Sequence, residues 1–156
     1  MEKPAPFSDK FYQAVAKMVA ESIPFNKLLG LQLESLDEHG ACIKFEMREE
    51  LIGNFVQGIL HGGVISVTLD MIGGLTAFLG VLQKNHLKPF EELLPVLTRI
   101  GTIDIRVDFL RPGKGQYFLA TGKILRIGNK VAVTRMELHN DQDLLIAVGT
   151  GTYLVG

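Results

Sequence analysis

The chain has 156 residues, of which 47% are hydrophobic and 21% charged, and its formal net charge is −1 at pH 7. This length predicts one domain with a substantial core, and the composition excludes a disordered or collagen-like chain. The single cysteine excludes an internal disulfide or a zinc ribbon, and the near-zero net charge argues against a general nucleic-acid binder.

The first half of the chain predicts a helix, two strands and then a much longer helix. Ser8 is a suitable N-cap for the first helix, whose apolar residues recur at helical spacing, and Pro24 ends it. Alternating apolar and polar residues mark the two strands, which a hairpin turn joins. The predicted elements are a helix over 8–21, a turn over 25–30, strands over 31–36 and 41–47, a polar loop over 48–57 and a helix from about residue 61.

The second half predicts four consecutive antiparallel strands, because apolar and polar residues alternate there with a period of two. A proline-broken segment over 83–94 precedes them and predicts a loop or a short helical insertion. Gly128-Asn129 suits a type II′ hairpin turn between the second and third strands. The strands are predicted over 102–109, 116–127, 131–138 and 144–155. The face of the first strand predicted to be buried carries Ile103, Ile105, Val107 and Phe109.

Together these elements predict an α+β fold with an antiparallel sheet of about six strands and one long central helix. Because that helix is too apolar to leave an ordinary polar outer face, the simplest arrangement has the sheet curled around it, which is the hotdog fold. We therefore predict a hotdog domain over residues 25–156, preceded by an N-terminal helical extension over residues 1–24.

The long helix has a competing interpretation as a membrane span. Residues Gly62–Leu82 contain a single charge, Asp70, and are long enough to cross a bilayer. A carboxylate near the middle costs about 2.5–3.5 kcal/mol on insertion scales, and no cluster of Lys or Arg flanks one end. A buried core helix is therefore favoured over a membrane span. Because residues 1–7 are not followed by the apolar stretch of a signal peptide, a cytoplasmic location is predicted.

Charge is unevenly distributed along the chain. Residues 1–98 carry twelve of the seventeen acidic residues and eight of the sixteen basic ones. Between Arg99 and Arg135 there are eight basic residues against only Asp104 and Asp108. This local excess fits the binding of a polyanion, and it fits equally well a set of strands whose wet face carries Lys and Arg.

Most known enzyme signatures are absent from the sequence. It has no G-x-S-x-G elbow, H-E-x-x-H motif, Walker loop or G-x-G-x-x-G loop, and its four histidines lack metal-ligand spacing, so no metal is predicted. Cys42 alternates with apolar neighbours in a strand and has no local charge partner. We interpret it as a buried small side chain rather than a nucleophile.

Three features coincide in the segment that enters the long helix. His61-Gly62-Gly63 lies where the first backbone N–H groups of the helix lack internal partners and the helix dipole is positive. Because glycine has no side chain, a substrate oxygen can approach the N–H groups of Gly62 and Gly63, as an oxyanion site requires. Asp70 is a carboxylate in an otherwise apolar helix, which is unfavourable unless it is paired or used. Asn54 and His61 can orient a carbonyl or a water.

Each of these features also has a purely structural interpretation. The two glycines can simply permit close packing of the helix on the sheet, and His61 can cap the helix. Asp70 can pair with an arginine from the strands. Taken singly, these interpretations are the simpler ones, whereas the coincidence of all three features favours a catalytic site.

The segment resembles the acyl-CoA thioesterases of the hotdog superfamily, in the branch called the PaaI or 4-hydroxybenzoyl-CoA thioesterase-like family. The similarity consists of the His-Gly-Gly sequence at 61–63, with an Asp nine residues after the His and an Asn seven residues before it. It continues in 105–112 (IRVDFLRP), 124–130 (ILRIGNK) and 145–153 (LIAVGTGTY), and it covers about residues 25–155.

The resemblance implies a hydrolase that converts an acyl-CoA to a carboxylic acid and free CoA and that needs no metal or cofactor. Asp70 would be the general base or the nucleophile. The backbone N–H of Gly63, with that of Gly62, would polarise the thioester carbonyl. Asn54 and His61 would orient that carbonyl or the water.

The resemblance also implies contributions from the strands and from a second subunit. Thr102 would help to hold the water, reaching the site from the neighbouring subunit of a homodimer, or of a homotetramer built as a dimer of hotdog dimers. The CoA phosphates would bind near the turns, which accounts for the basic stretch. The residues implied there are Arg111, Arg126, Gly128 and Lys130.

The chain departs from the family pattern in the helix before Pro24 and in the long segment 83–97. Both could reshape an acyl pocket, and the apolar content of the segment favours a medium- to long-chain fatty acyl group over a small polar acid. Its apolar residues are Leu87, Phe90, Leu93, Leu94, Val96 and Leu97.

Two other functions are compatible with the same fold. One is the hydration or dehydration of an enoyl-CoA type of thioester, although enzymes of that kind generally use a histidine and a carboxylate in a different motif, which we do not find here. The other is a non-catalytic acyl-CoA-binding protein. Release of a free thiol from an acyl-CoA separates hydrolysis from both alternatives.

Overall fold

The structure is a computed structural model that describes residues 7–37, 39–85 and 90–156, with the backbone alone for Phe90, Glu91, Leu93 and Leu94. The helical elements are α1 (Asp9–Lys17), a π-helical turn (Met18–Ser22), α2 (Pro24–Leu29), a 3₁₀ turn (Glu49–Leu51), α3 (Gly62–Lys84) and α4 (Phe90–Leu97). The strands are β1 (Gln32–Asp37), β2 (Gly40–Glu46), β3 (Ile52–Asn54), β4 (Ile59–Leu60), β5 (Gly101–Phe109), β6 (Tyr117–Ile127), β7 (Val131–Asn140) and β8 (Leu145–Leu154).

The large sheet confirms the predicted α+β hotdog architecture. Its six antiparallel strands follow the order β1-β2-β6-β7-β8-β5, so that β1 and β5 are its edges. Helix α3 packs against the inner face of this sheet, and most of its residues beyond Leu69 are buried. A helix enclosed in this way needs no polar outer face, which explains its nearly uniform apolar sequence.

The N-terminal segment differs in part from its prediction. Ser8 caps α1 as predicted, because its Oγ accepts a hydrogen bond from the backbone N–H of Phe11 at 3.2 Å. The predicted turn over 25–30 is wrong, since Pro24 begins a second helix. Proline is suited to a first helical position because it has no N–H to leave unsatisfied. Val15 and Val19 are fully buried in the main core, so this segment is packed onto the sheet and α3.

Two connections also differ from their predictions. The polar loop predicted over 48–57 contains the 3₁₀ turn and β3, and β3 pairs with β4 in a separate two-stranded sheet. Strands of two or three residues are too short to produce a periodic pattern in the sequence. The type II′ turn is also wrong, because Gly128 is not among the glycines with positive φ. Its N–H donates to the Val131 carbonyl, which places Gly128 at the start of the turn rather than at its centre.

The face of β5 predicted to be buried is only partly so. Ile105 and Val107 are half-buried, but Ile103 and Phe109 are each 55% exposed. Two causes combine here, since β5 is an edge strand and its register against β8 shifts between Thr102 and Asp104. That shift is a β-bulge at Ile103, which breaks the alternation on which the prediction depended.

Among the described residues, one helix, α3, is long and apolar enough to cross a membrane. Its most apolar window is 67% buried inside the fold, which agrees with the prediction of a core helix. The segment predicted as a loop or helical insertion contains α4, so its helical interpretation is confirmed. Leu87 and the side chains of Phe90, Leu93 and Leu94 lie outside the part of the chain that the structure describes, so their role in the pocket stays a prediction.

Candidate active site

Asp70 is joined to two hydroxyl groups from the sheet. The hydroxyl of Thr102, at the start of β5, donates to Asp70 Oδ1 at 2.8 Å. The hydroxyl of Tyr153, near the end of β8, lies 3.2 Å from the same oxygen and 3.2 Å from the main-chain oxygen of Asp70. No arginine or lysine pairs with Asp70 among the residues that the structure describes. The interpretation of Asp70 as part of an ion pair therefore loses its support.

The Asp70–Thr102 contact is made within one chain, which corrects the expectation that Thr102 comes from a neighbouring subunit. Strict alternation would place Thr102 with Asp104 and Arg106 on the outer face of the sheet. The bulge at Ile103 reverses this assignment and turns Thr102 toward the central helix. The bulge is thus the local feature that brings the hydroxyl to the carboxylate.

Tyr153 contacts Asp70 and is not among the residues predicted from the sequence. It is 1% exposed, and a Cβ at Gly73 would overlap its hydroxyl, so this glycine provides the space for the ring against α3. Burial, and then the nearby charge of Asp70, raise the pKa of Tyr153 above its ordinary value of 10.0. The hydroxyl therefore stays a donor across the neutral pH range. The only signal in the sequence was the phenol itself, since a buried tyrosine hydroxyl needs a partner.

An apolar cavity of about 300 Å³ adjoins these three polar groups. Asp70, Thr102 and Tyr153 lie in its wall together with apolar side chains from α3, from the N-terminal segment and from the region of α4. Its volume is at the lower end of the range for small-molecule sites, and its lining of apolar surface with a few convergent polar groups is typical of them.

The start of α3 carries the other predicted site residues. His61 is the N-cap, and its Nδ1 accepts a hydrogen bond from the Gly63 N–H at 2.8 Å, so the capping interpretation of His61 is confirmed. Asn54 Oδ1 accepts hydrogen bonds from the N–H groups of Val56 and Gln57 at 3.1 and 3.2 Å, which orders the exposed loop before the helix. In this arrangement the Gly63 N–H is occupied by a side chain of its own chain.

The two groups of predicted residues are separated along α3. Gly63 and Asp70 are seven residues apart, which corresponds to about 10 Å along a helix axis. A thioester carbonyl and a water attacking it occupy a much smaller space. One chain therefore holds the predicted residues in two separate groups: Asp70 with its two hydroxyl partners, and the helix start with Asn54 and His61.

The predicted CoA-binding residues are divided in the same way. Arg126, Gly128 and Lys130 lie at the β6–β7 turn, near the end of the sheet that holds Tyr153. Arg111 donates to the Leu145 carbonyl at 2.9 Å, at the opposite end of β8 and roughly 25 Å away at the usual rise per strand residue. A single chain does not bring all four together.

Comparison with known proteins identifies the family. A model of the thioesterase superfamily matches residues 57–147. The chain belongs to the thioesterase superfamily. It is 44% identical, over 96% of each chain, to the medium/long-chain acyl-CoA thioesterase YigI of Escherichia coli strain K12.

Solved structures agree with this assignment. A Shewanella oneidensis protein related to the thioesterase superfamily has a TM-score of 0.87 and 51% identity, covering 92% of this chain and 94% of that one. The PaaI protein of Escherichia coli, from the phenylacetic acid degradation operon, has a TM-score of 0.68 and 22% identity, covering 93% of this chain and 92% of that one, and it shares the fold. The resemblance seen in the sequence to this superfamily is confirmed.

The lone cysteine of this thioesterase is not placed as predicted. Cys42 is half-buried on the outer face of β2 rather than buried in the core. Burial, and then the charge of Glu34, raise its pKa from 9.0 to about 11. The thiol is therefore protonated near neutral pH and is a poor nucleophile, as the sequence indicated. Within the described part of the chain, no group of His, Cys, Asp and Glu side chains could hold a metal ion.

Substitution of Tyr153 tests its position beside Asp70. The variant Tyr153→Phe is expected to lower kcat/KM for thioester hydrolysis by about tenfold or more, because a hydrogen bond to a charged group contributes roughly 1.5–3 kcal/mol. The difference in tyrosinate absorbance between the two proteins should develop only above pH 10. Since the unfolded chain releases this proton first, Tyr153 should also make the fold less stable as pH rises past 10. Wild-type activity in the variant would show that the hydroxyl does not support Asp70.

Proposed function

We propose that this thioesterase hydrolyses medium- to long-chain fatty acyl-CoA to the free acid and CoA, with Asp70 as the general base or the nucleophile. One observation carries the proposal: a carboxylate held by two hydroxyl groups lies in the wall of an apolar cavity. The apolar cavity suits an acyl chain, and the carboxylate suits the activation of water beside it. The activity named for YigI, at 44% identity, supports the same substrate class.

The reaction has two forms that Asp70 can serve. As a base, Asp70 takes a proton from water while the water oxygen attacks the thioester carbonyl carbon. The C–S bond then breaks, and the CoA sulfur leaves as a thiolate that takes up a proton. As a nucleophile, Asp70 attacks the same carbon, the C–S bond breaks and the CoA sulfur leaves as a thiolate that takes up a proton. Water then hydrolyses the resulting mixed anhydride to the free acid and the Asp70 carboxylate. In both forms Thr102 and Tyr153 fix the orientation of the carboxylate.

The negative charge on the carbonyl oxygen needs a donor, and the start of α3 is the proposed source. The N–H groups of Gly62 and Gly63 lie at the positive end of a 23-residue helix. The Gly63 N–H now donates to His61, so binding of the carbonyl oxygen requires the imidazole to turn away. His61 is exposed, which leaves room for that rotation. Released in this way, His61 would be available to orient the substrate, as would the side-chain N–H groups of Asn54, whose Oδ1 orders the loop.

The separation of about 10 Å between Gly63 and Asp70 supports the proposal that two subunits build each site. If two copies pair through the free edge of β5 about a two-fold axis near its centre, Thr102 of one copy lies close to Phe109 of the other. In each chain the Phe109 ring adjoins Gly62. Asp70, Thr102 and Tyr153 of one subunit would therefore meet the helix start of its partner.

Exposed apolar side chains support this pairing. Ile103 and Phe109 on β5 are each 55% exposed, and Phe55, in the loop before α3, is 88% exposed. Exposed apolar residues on an unpaired edge strand are typical of an association surface. The same pairing brings Arg111 of one subunit toward the Arg126–Lys130 turn of its partner, so that the proposed phosphate-binding residues of one CoA site come from both chains.

Three further expectations remain predictions. They are the division into an extension over 1–24 and a domain over 25–156, the assembly of dimers into a homotetramer, and a cytoplasmic location.

Free-thiol release from a series of straight-chain acyl-CoA esters tests the proposed function. Hydrolysis should be fastest for medium or long chains and weak for acetyl-CoA. Addition of water to an enoyl-CoA without thiol release would instead indicate a hydratase. Tight acyl-CoA binding with no thiol release at any chain length would indicate a non-catalytic binding protein.

A further inference from the structure

The cavity beside Asp70 extends along α3. Its α3 residues run from Asp70 through Gly74 to Phe78, which is about 12 Å at the usual helical rise. Asp70, Thr102 and Tyr153 make one part of this wall polar, and Phe78 adds an aromatic ring about two helical turns further along α3. A straight acyl chain whose thioester lies at Asp70 would therefore point along the helix toward Phe78.

The wall that faces α3 comes from two segments outside the large sheet. Met18 and Ile23 belong to the N-terminal segment, and Leu97 and Ile100 belong to the end of α4 and the residues after it. These segments are far apart in the sequence, but they meet at one cavity.

The N-terminal wall is fixed in place. Val15 and Val19, one helical turn or less from Met18, are fully buried. On the other side of Ile23, Asn26 is 3% exposed, and its side-chain amide donates to the Met71 sulfur of α3 at 3.2 Å. The segment that carries Met18 and Ile23 is thus held on both sides, and it can set a firm limit on what the cavity accepts.

We propose that Met18, Ile23 and Leu97 set the longest acyl chain that this enzyme accommodates, an inference that rests on the proposed acyl-CoA hydrolysis. The cavity runs about 12 Å along α3, so the side chains that line it limit the length of chain that fits. Chains that exceed this length meet side chains of the N-terminal segment and of α4. The N-terminal segment and α4 together therefore determine substrate length.

The test measures kcat/KM across short, medium and long straight-chain acyl-CoA esters. Ile23→Phe narrows the cavity, so hydrolysis of the longest good substrate should fall about tenfold or more while that of short chains stays within about twofold. Met18→Ala enlarges the cavity and should move the optimum toward longer chains. Both side chains are half-buried, so the fold is expected to tolerate either change. Leu97→Phe narrows the cavity from the side of α4, and it replaces Ile23→Phe in the test if that variant does not fold.

Leu28→Ala is the matched control, because Leu28 lies in the same N-terminal region but is 67% exposed and does not line the cavity. Its length profile should equal that of the wild type. Profiles of the three cavity variants that rise or fall equally at all chain lengths would overturn the proposal while leaving acyl-CoA hydrolysis intact. Absence of thiol release by the wild-type protein would overturn the proposed function itself.

Discussion

Replacement of Asp70 by asparagine is expected to lower kcat for acyl-CoA hydrolysis by roughly two to four orders of magnitude, the usual contribution of a general base. The amide is nearly the same size as the carboxylate and can still accept from Thr102 and Tyr153. It cannot take a proton from water, and it is a very weak nucleophile. The loss should therefore appear in kcat, with little change in the melting temperature.

Asp104→Asn is the matched control for this variant. Asp104 lies two residues beyond Thr102 on β5 and is exposed, and its charge acts on Tyr153. The change in net charge near the site is thus the same, but no hydrogen bond to the reacting carboxylate is altered. We expect activity within a few-fold of the wild type. Comparable activity in Asp70→Asn and Asp104→Asn would contradict the assignment of Asp70.

A mixed dimer gives the second large effect. The variant Gly63→Asp places a carboxylate beside the proposed oxyanion donor, which should reduce hydrolysis by at least about a hundredfold. A Cβ at position 63 would displace the His61 ring, which is exposed and can turn aside, and an acidic residue in the first turn is favourable for a helix, so folding should be preserved. A dimer of one Asp70→Asn subunit and one Gly63→Asp subunit contains one intact site if each site combines two chains. Its activity should be about half that of the wild type.

The experiment uses co-expressed subunits with two different tags, from which the mixed dimer is purified on both. Each parent variant, purified alone, supplies the baseline. If every site were contained within one chain, the mixed dimer would have no intact site and would be as inactive as its parents. This comparison tests the two-subunit site without relying on the size of the oligomer.

The parts of the fold that were predicted correctly depend on patterns within short stretches of chain. Ser8 was recognisable as an N-cap, the long helix by its apolar length, and β6, β7 and β8 by their period of two. The elements that were missed, α2 and the β3–β4 pair, are only two to six residues long. Segments of that length contain too few repeats to distinguish either pattern from its surroundings.

The sequence by itself also determined that Asp70 and the His-Gly-Gly segment are unusual, because one charge in an apolar helix and two glycines at its start stand out locally. Only the tertiary structure decided their partners. Thr102 lies 32 positions from Asp70 and Tyr153 lies 83 positions away, and neither contact follows from local pattern. A one-residue bulge decided which face Thr102 occupies, and helix geometry separated Gly63 from Asp70. The low content of charged residues and the single acidic residue within the apolar helix are visible in the sequence. Only long-range packing gives Asp70 its hydroxyl partners and its cavity.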